Sequence, residues 1–110
     1  MRFTKDNWEK YFDGSNKVMT TRMHKIRLGH HRCWKGNYFK PELIGELDII
    51  QVITKKYKDL TPEDAKKDGF SSLMEYRAEM RRLNGKIKPD KIVYLHMTEN
   101  VKRADVTSTI

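Results

Sequence analysis

Residues 14–41 contain no aspartate or glutamate, although the chain of 110 residues has 15 acidic side chains to place. Lys17, Arg22, Lys25, Arg27, Arg32, Lys35 and Lys40 all fall in that stretch, so it carries +7 of a net +8. A positive field concentrated this way suits a polyanion better than it suits mere solubility. Cysteine is scarce too: Cys33 stands alone, which excludes an internal disulfide and a cysteine-rich metal site. His24, His30 and His31 have no cysteine or carboxylate at ligand spacing, so neither a metal nor a cofactor is expected. No apolar run is long enough to span a bilayer, and no apolar stretch follows the early charges of Met1-Arg2-Phe3-Thr4-Lys5-Asp6; a cytoplasmic protein without membrane partners is the expectation.

Only three prolines and six glycines interrupt the chain, and their positions divide it into elements. Thr4 caps a helix over residues 5–13, in which Trp8, Tyr11 and Phe12 share a face and Gly14 makes the stop. Val18 to Arg22 reads as a strand with Thr20 and Arg22 on one face and Thr21 on the other. Residues 24–39 show no clear periodicity and read as a long basic loop with a short strand near Arg32 to Lys35. Trp34, Tyr38 and Phe39 interleave there with the cations, as rings do where bases stack, or as core residues of flanking strands.

The alternation and apolar run from Glu42 to Lys56 predict a long strand or strand pair. Thr61-Pro62-Glu63-Asp64 opens a helix that should end at Gly69. A second begins at Ser72, paired with Glu75 in a capping box, and runs to Asn84-Gly85 with Leu73, Tyr76, Met80 and Leu83 on one face. Ile92 to Met97 closes the order as a strand, and residues 99–110 read as a flexible tail. The sum is an α+β fold: a small β-barrel or strongly curved mixed sheet with flanking helices, one domain over residues 3–98.

The order of elements, Gly14…Lys17-Val18-Met19-Thr20-Thr21-Arg22, and the later Leu60-Thr61-Pro62-Glu63-Asp64-Ala65-Lys66-Lys67-Asp68-Gly69-Phe70 together resemble the ASCH family, whose domain is a PUA-like β-barrel. That resemblance covers residues 3–98. It implies an RNA-binding module or, as in one bacterial branch, a small amidohydrolase acting on acetylcytidine. Carried over, the branch's catalytic lysine and threonine fall on Lys17 and Thr20, the motif arginine on Arg22, and the third position on Asp68, where the family has glutamate. One extra residue separates Gly14 from Lys17.

Independently of family, a desolvated lysine can act as a base, a threonine hydroxyl as nucleophile or relay, and a carboxylate as their proton partner. Taken singly, Lys17, Thr20 and Asp68 read first as a surface cation, an ordinary strand residue and a solvated charge near a helix end; the match to the family pattern is what raises the trio above that. The leading expectation is RNA or modified-nucleotide binding by a basic cleft in which Lys17, Arg22, Lys25, Arg27, Arg32, Lys35 and Lys40 meet the ligand. The alternative is a hydrolase acting on a modified nucleoside, or a ribonuclease, using Lys17, Thr20 and Asp68. A structural partner of an acidic protein is a third reading. By the same logic, replacing Arg27, Arg32 and Lys35 should weaken RNA binding, and replacing Lys86, Lys88 and Lys91 should do much less. The sequence leaves the oligomeric state open.

Overall fold

A computed structural model describes residues 1–104. Seven main elements follow in order: α1 (Lys5–Glu9), β1 (Met19–Arg22), β2 (Gly29–Lys35), β3 (Glu42–Lys56), α2 (Pro62–Lys67), α3 (Leu73–Asn84) and β4 (Ile92–Arg103), with a 3-10 turn at Tyr57–Asp59 after β3. The four strands form one sheet in the order β1-β4-β3-β2, each pair antiparallel. The expected α+β class and curved sheet hold; the expected closed barrel is corrected to an open sheet, and the expected mixed pairing to an antiparallel one. A single parallel bridge, Arg2 to Trp34, lies outside the named strands.

The barrel stays open because, among the described residues, no strand pairing joins the outer edges of β1 and β2. Beyond β2 the chain's own start is bound instead, with Phe3 N–H donating to Trp34 O at 2.9 Å and Trp34 N–H to Met1 O at 2.8 Å. β3 follows the curvature through two register shifts against β4, at Glu46/Asp48 and Ile49/Gln51. Such irregularities add local twist and bend. Gly45 also lets Trp8 lie directly on the strand, since a Cβ there would sit 2.0 Å from Lys102 O and 2.5 Å from Trp8 Cζ2.

Alternation along the strands divides the interior in two. On one face Met19, Val93 and Leu95 pack with Tyr76 and Met80 of α3, Ala65 of α2, and Tyr57, Leu60 and Ile87. On the other, Phe3 and Trp8 pack with Cys33, Leu47 and Ile49, and burial there pushes the Cys33 thiol up to about 11.

Local chemistry explains the helices. Thr4, Thr61 and Ser72 each accept a backbone N–H as N-cap, and Thr61 with Asp64 forms a full capping box. At Ser72 the expected box is half made, because the Glu75 carboxylate turns to Ser71 instead. α1 stops at Glu9, earlier than the expected 13, although the turns that follow keep Tyr11 and Phe12 beside Trp8. Two strands exceed their expected lengths. β2 starts at Gly29 within the expected loop, since β3 supplies a paired backbone as far as Ile49. β4 runs on through Glu99 to Arg103 because Gly45 and Glu46 pair with Arg103 and Lys102; residues 105–110 of the expected tail lie outside the described residues. No described helix is long and apolar enough to cross a membrane.

Candidate functional site

The open seam of the sheet holds a cleft of about 820 Å³. It is lined by Phe3, Gly36 and Tyr38, by Thr20, Thr21 and Arg22 of β1, and by Tyr76 and Glu79 of α3. β1 pairs with β4 through Thr20–His96 and Arg22–Tyr94, so Thr20 and Arg22 share a face with His96. Thr21 turns the other way, its hydroxyl hydrogen-bonded to Tyr76 Oη. Burial, with Asp68 adding to it, drives the Tyr76 phenol well above its ordinary range, so this contact is between two neutral hydroxyls.

Lys17 and Asp68 form an ion pair at the base of the cleft, 51 residues apart in the chain. Their side chains are 1% and 7% exposed. The Lys17 ammonium donates to Met19 O at 2.8 Å, to Asp68 O at 3.2 Å and to the Asp68 carboxylate, which uses all three of its N–H bonds. Asp68 accepts with its other oxygen the Thr21 N–H at 3.1 Å. The pair thus occupies Met19 O and Thr21 N–H, backbone groups on the side of β1 away from β4. Burial holds Lys17 below the ordinary lysine value, and the Asp68 charge pulls it back up.

The end of α2 is what delivers Asp68. Gly69 N–H donates to Lys66 O and Phe70 N–H to Ala65 O, at 3.0 and 2.9 Å, the paired bonds of a Schellman motif. The motif needs a left-handed residue, and Gly69 has φ +86. A Cβ there would also press to 3.1 Å on Lys17 Cβ. Helix termination and placement of the ion pair are therefore one event.

Arg22 is held differently. Its Nε donates to Thr20 Oγ1 at 3.2 Å, and its guanidinium lies 4.5 Å over the Phe3 ring. Burial opposes its charge, but a guanidinium keeps its proton throughout the working range. The two terminal nitrogens take no protein acceptor among the described residues, and Arg22 lines the cleft. At the rim, the Arg2 guanidinium stacks 4.3 Å over Tyr38, a ring 86% exposed.

His96 falls within the expected strand Ile92 to Met97 with no role assigned from sequence; it is fully buried, opposite Thr20 on β4. Ile26 N–H donates to its Nε2 at 2.9 Å, and its Nδ1 lies 3.3 Å from Thr20 O. This network assigns the proton to Nδ1 and a neutral ring. Burial, the largest cause, lowers its pKa.

Among the seven cations expected to meet nucleic acid, only Lys17 and Arg22 line the cleft. Lys35 pairs with Glu42 at 3.3 Å. Arg27 donates to His30 O at 3.1 Å. Arg32 stands opposite Glu46, and His30 opposite Asp48, across β2 and β3. Lys25 and Lys40 are exposed. A stretch without acids in sequence thus meets acids in space. Thr20, the expected nucleophile or proton relay, is 5% exposed and accepts from Arg22. No group of three potential metal ligands occurs among the described residues.

No family model and no curated protein matches the sequence. Solved structures do match. The ASCH domain from Lactobacillus crispatus JV V101 superposes with a TM-score of 0.58 at 14% identity, over 81% of this chain and 66% of that one. Protein EF3133 from Enterococcus faecalis V583 gives a TM-score of 0.62 at 10% identity, over 91% and 68%. The chain therefore spans about two thirds of the length of either structure. What is shared at these identities is the fold.

Proposed function

We propose, on the premise of an ASCH-type fold, that this chain binds single-stranded RNA and takes one nucleotide of the strand into the cleft at the sheet's seam. The observation that carries this reading is the Arg22 guanidinium, pinned by Phe3 and Thr20 with its terminal nitrogens unbonded to protein among the described residues. A fork of donors fixed in a partly desolvated cleft suits a phosphate, or a base edge with two acceptors. Tyr38 at the rim offers a ring for stacking, and the cleft's volume is that of an ordinary small-ligand site. Lys25, Arg27, Arg32 and Lys40 add long-range attraction from outside the cleft. Lys17 and Asp68 shape its base.

Binding of fluorescein-labelled single-stranded RNA tests this. Arg22→Ala should weaken binding at least about tenfold, as loss of a bidentate charged contact does, and Arg22→Lys should not restore it. Unchanged affinity in Arg22→Ala at an unchanged melting temperature would overturn the reading.

A hydrolase acting on an acylated cytidine is the second reading, favoured by a desolvated lysine paired with Asp68 and lining one cleft with Thr20. It ranks second because a base needs a free lone pair, whereas Lys17 makes three bonds as an ammonium. Release of acetate from acetylcytidine by the wild type, lost in Thr20→Val, would reverse the ranking. No release above buffer removes it.

A further inference from the structure

Past Met23, His24 and Asn84, which line both, the cleft continues into a second groove of about 600 Å³. Its outer wall is the segment between α3 and β4, and its cations are Lys86, Lys88 and Lys91. All three are exposed, and none forms an ion pair among the described residues. The one carboxylate lining the groove among the described residues, Asp90, faces Lys58 at 3.1 Å and Lys56 at 3.8 Å on the neighbouring segment. The local field is therefore positive.

The wall is also fixed in place. Ile87 is 8% exposed and belongs to the helix-side core. Tyr57 N–H donates to Lys91 O at 2.8 Å, Lys58 N–H to Pro89 O at 3.0 Å, and Lys91 N–H to Lys88 O at 3.0 Å. Three cations on a braced loop, beside a groove that opens from a nucleotide-sized cleft, match the backbone of a strand leaving that cleft.

Resting on the reading above, we infer that the groove walled by residues 85–91 is a second subsite, where Lys86, Lys88 and Lys91 hold the phosphates of the nucleotides next to the one in the cleft. The strand then runs from Arg22 past His24 toward α3 and β4. This reverses the sequence expectation, which made those three lysines the bystanders.

The test uses the whole chain and two labelled probes, a uridine dinucleotide and a uridine octanucleotide, titrated over a range of potassium chloride. The Lys86→Gln, Lys88→Gln, Lys91→Gln triple should bind the octanucleotide at least tenfold more weakly. Its slope of log affinity against log salt should flatten by about two, at roughly 0.7 for each lost phosphate contact. Dinucleotide binding should stay within twofold of wild type. An unchanged octanucleotide affinity and slope in the triple would overturn the subsite while leaving the cleft reading intact. Equal losses for both probes would also overturn it, because the lysines would then act as a diffuse field. Failure of the wild type to bind either probe would remove both readings together.

Discussion

Residues 14–41 and residues 85–91 both look basic in sequence, the first with seven cations and no acid, the second with three and one aspartate. In the fold they stand differently to the cleft. The longer stretch spends Lys17 on a buried pair, Lys35 on Glu42, and lays Arg32 against Glu46 across the sheet. The shorter one has its only acid occupied from outside and keeps its lysines in solvent beside the cleft. Linear charge density measures what is available, and strand pairing decides what is left. A β-strand brings each residue opposite one from elsewhere in the chain, so an acid-free stretch that becomes a strand acquires its partner's acids. A loop braced through its backbone does not.

The largest effect should come from the cation the longer stretch has buried. Lys17→Ala leaves Asp68 charged, buried and without its counter-ion, and should cost about 3–5 kcal/mol in urea unfolding. A cost under about 1 kcal/mol, the range of an exposed pair, would mean Lys17 is free for a ligand, and the contrast between the two regions would weaken.

Next comes pH. His96 anchors the longer stretch through Ile26 N–H, and a second proton would set a donor against that donor. Its folded pKa lies below the ordinary 6.5. Below that value the unfolded chain takes up a proton that the fold refuses. The neutral ring's contribution is therefore complete above pH 6.5 and is lost as pH falls toward the folded pKa. The slope reaches at most about 1.4 kcal/mol per pH unit. His96→Gln should be less stable at neutral pH and lack that slope; a wild-type-like slope in the variant would assign it elsewhere.

The smallest effect sharpens the comparison directly. The Arg27→Gln, Arg32→Gln, Lys35→Gln triple should weaken octanucleotide binding by only about two- to threefold, since its charges act at a distance or are already paired. A loss as large as that of the loop triple would erase the distinction between the regions.

What the sequence disclosed follows from how local each signal is. The caps at Thr4, Thr61 and Ser72 lie within three residues of the N–H groups they satisfy, and β3 was visible through its own alternation. β2 was visible only near Arg32 to Lys35, because Gly29, His30 and His31 carry no strand pattern and owe their conformation to residues 47–49 of β3. The far half of β4 was hidden for the same reason. Lys17 and Asp68 were linked only through the ASCH resemblance; no local rule connects residues 51 apart. That Lys86, Lys88 and Lys91 line a groove next to the cleft was not legible, because it depends on which loop the fold brings there.

The ion pair at the cleft's base also bears on solubility. Met19 O and Thr21 N–H are the kind of backbone groups on which another chain could add a strand, and Lys17 and Asp68 occupy them from within the molecule. An uncovered strand margin of this sort templates self-association. Asp68→Ala would therefore do more than unbalance a charge: it would leave β1 with an adhesive margin. Such a variant should sediment as concentration-dependent oligomers under conditions where the parent chain does not, and the sheet's failure to close would then become a liability that two side chains ordinarily suppress.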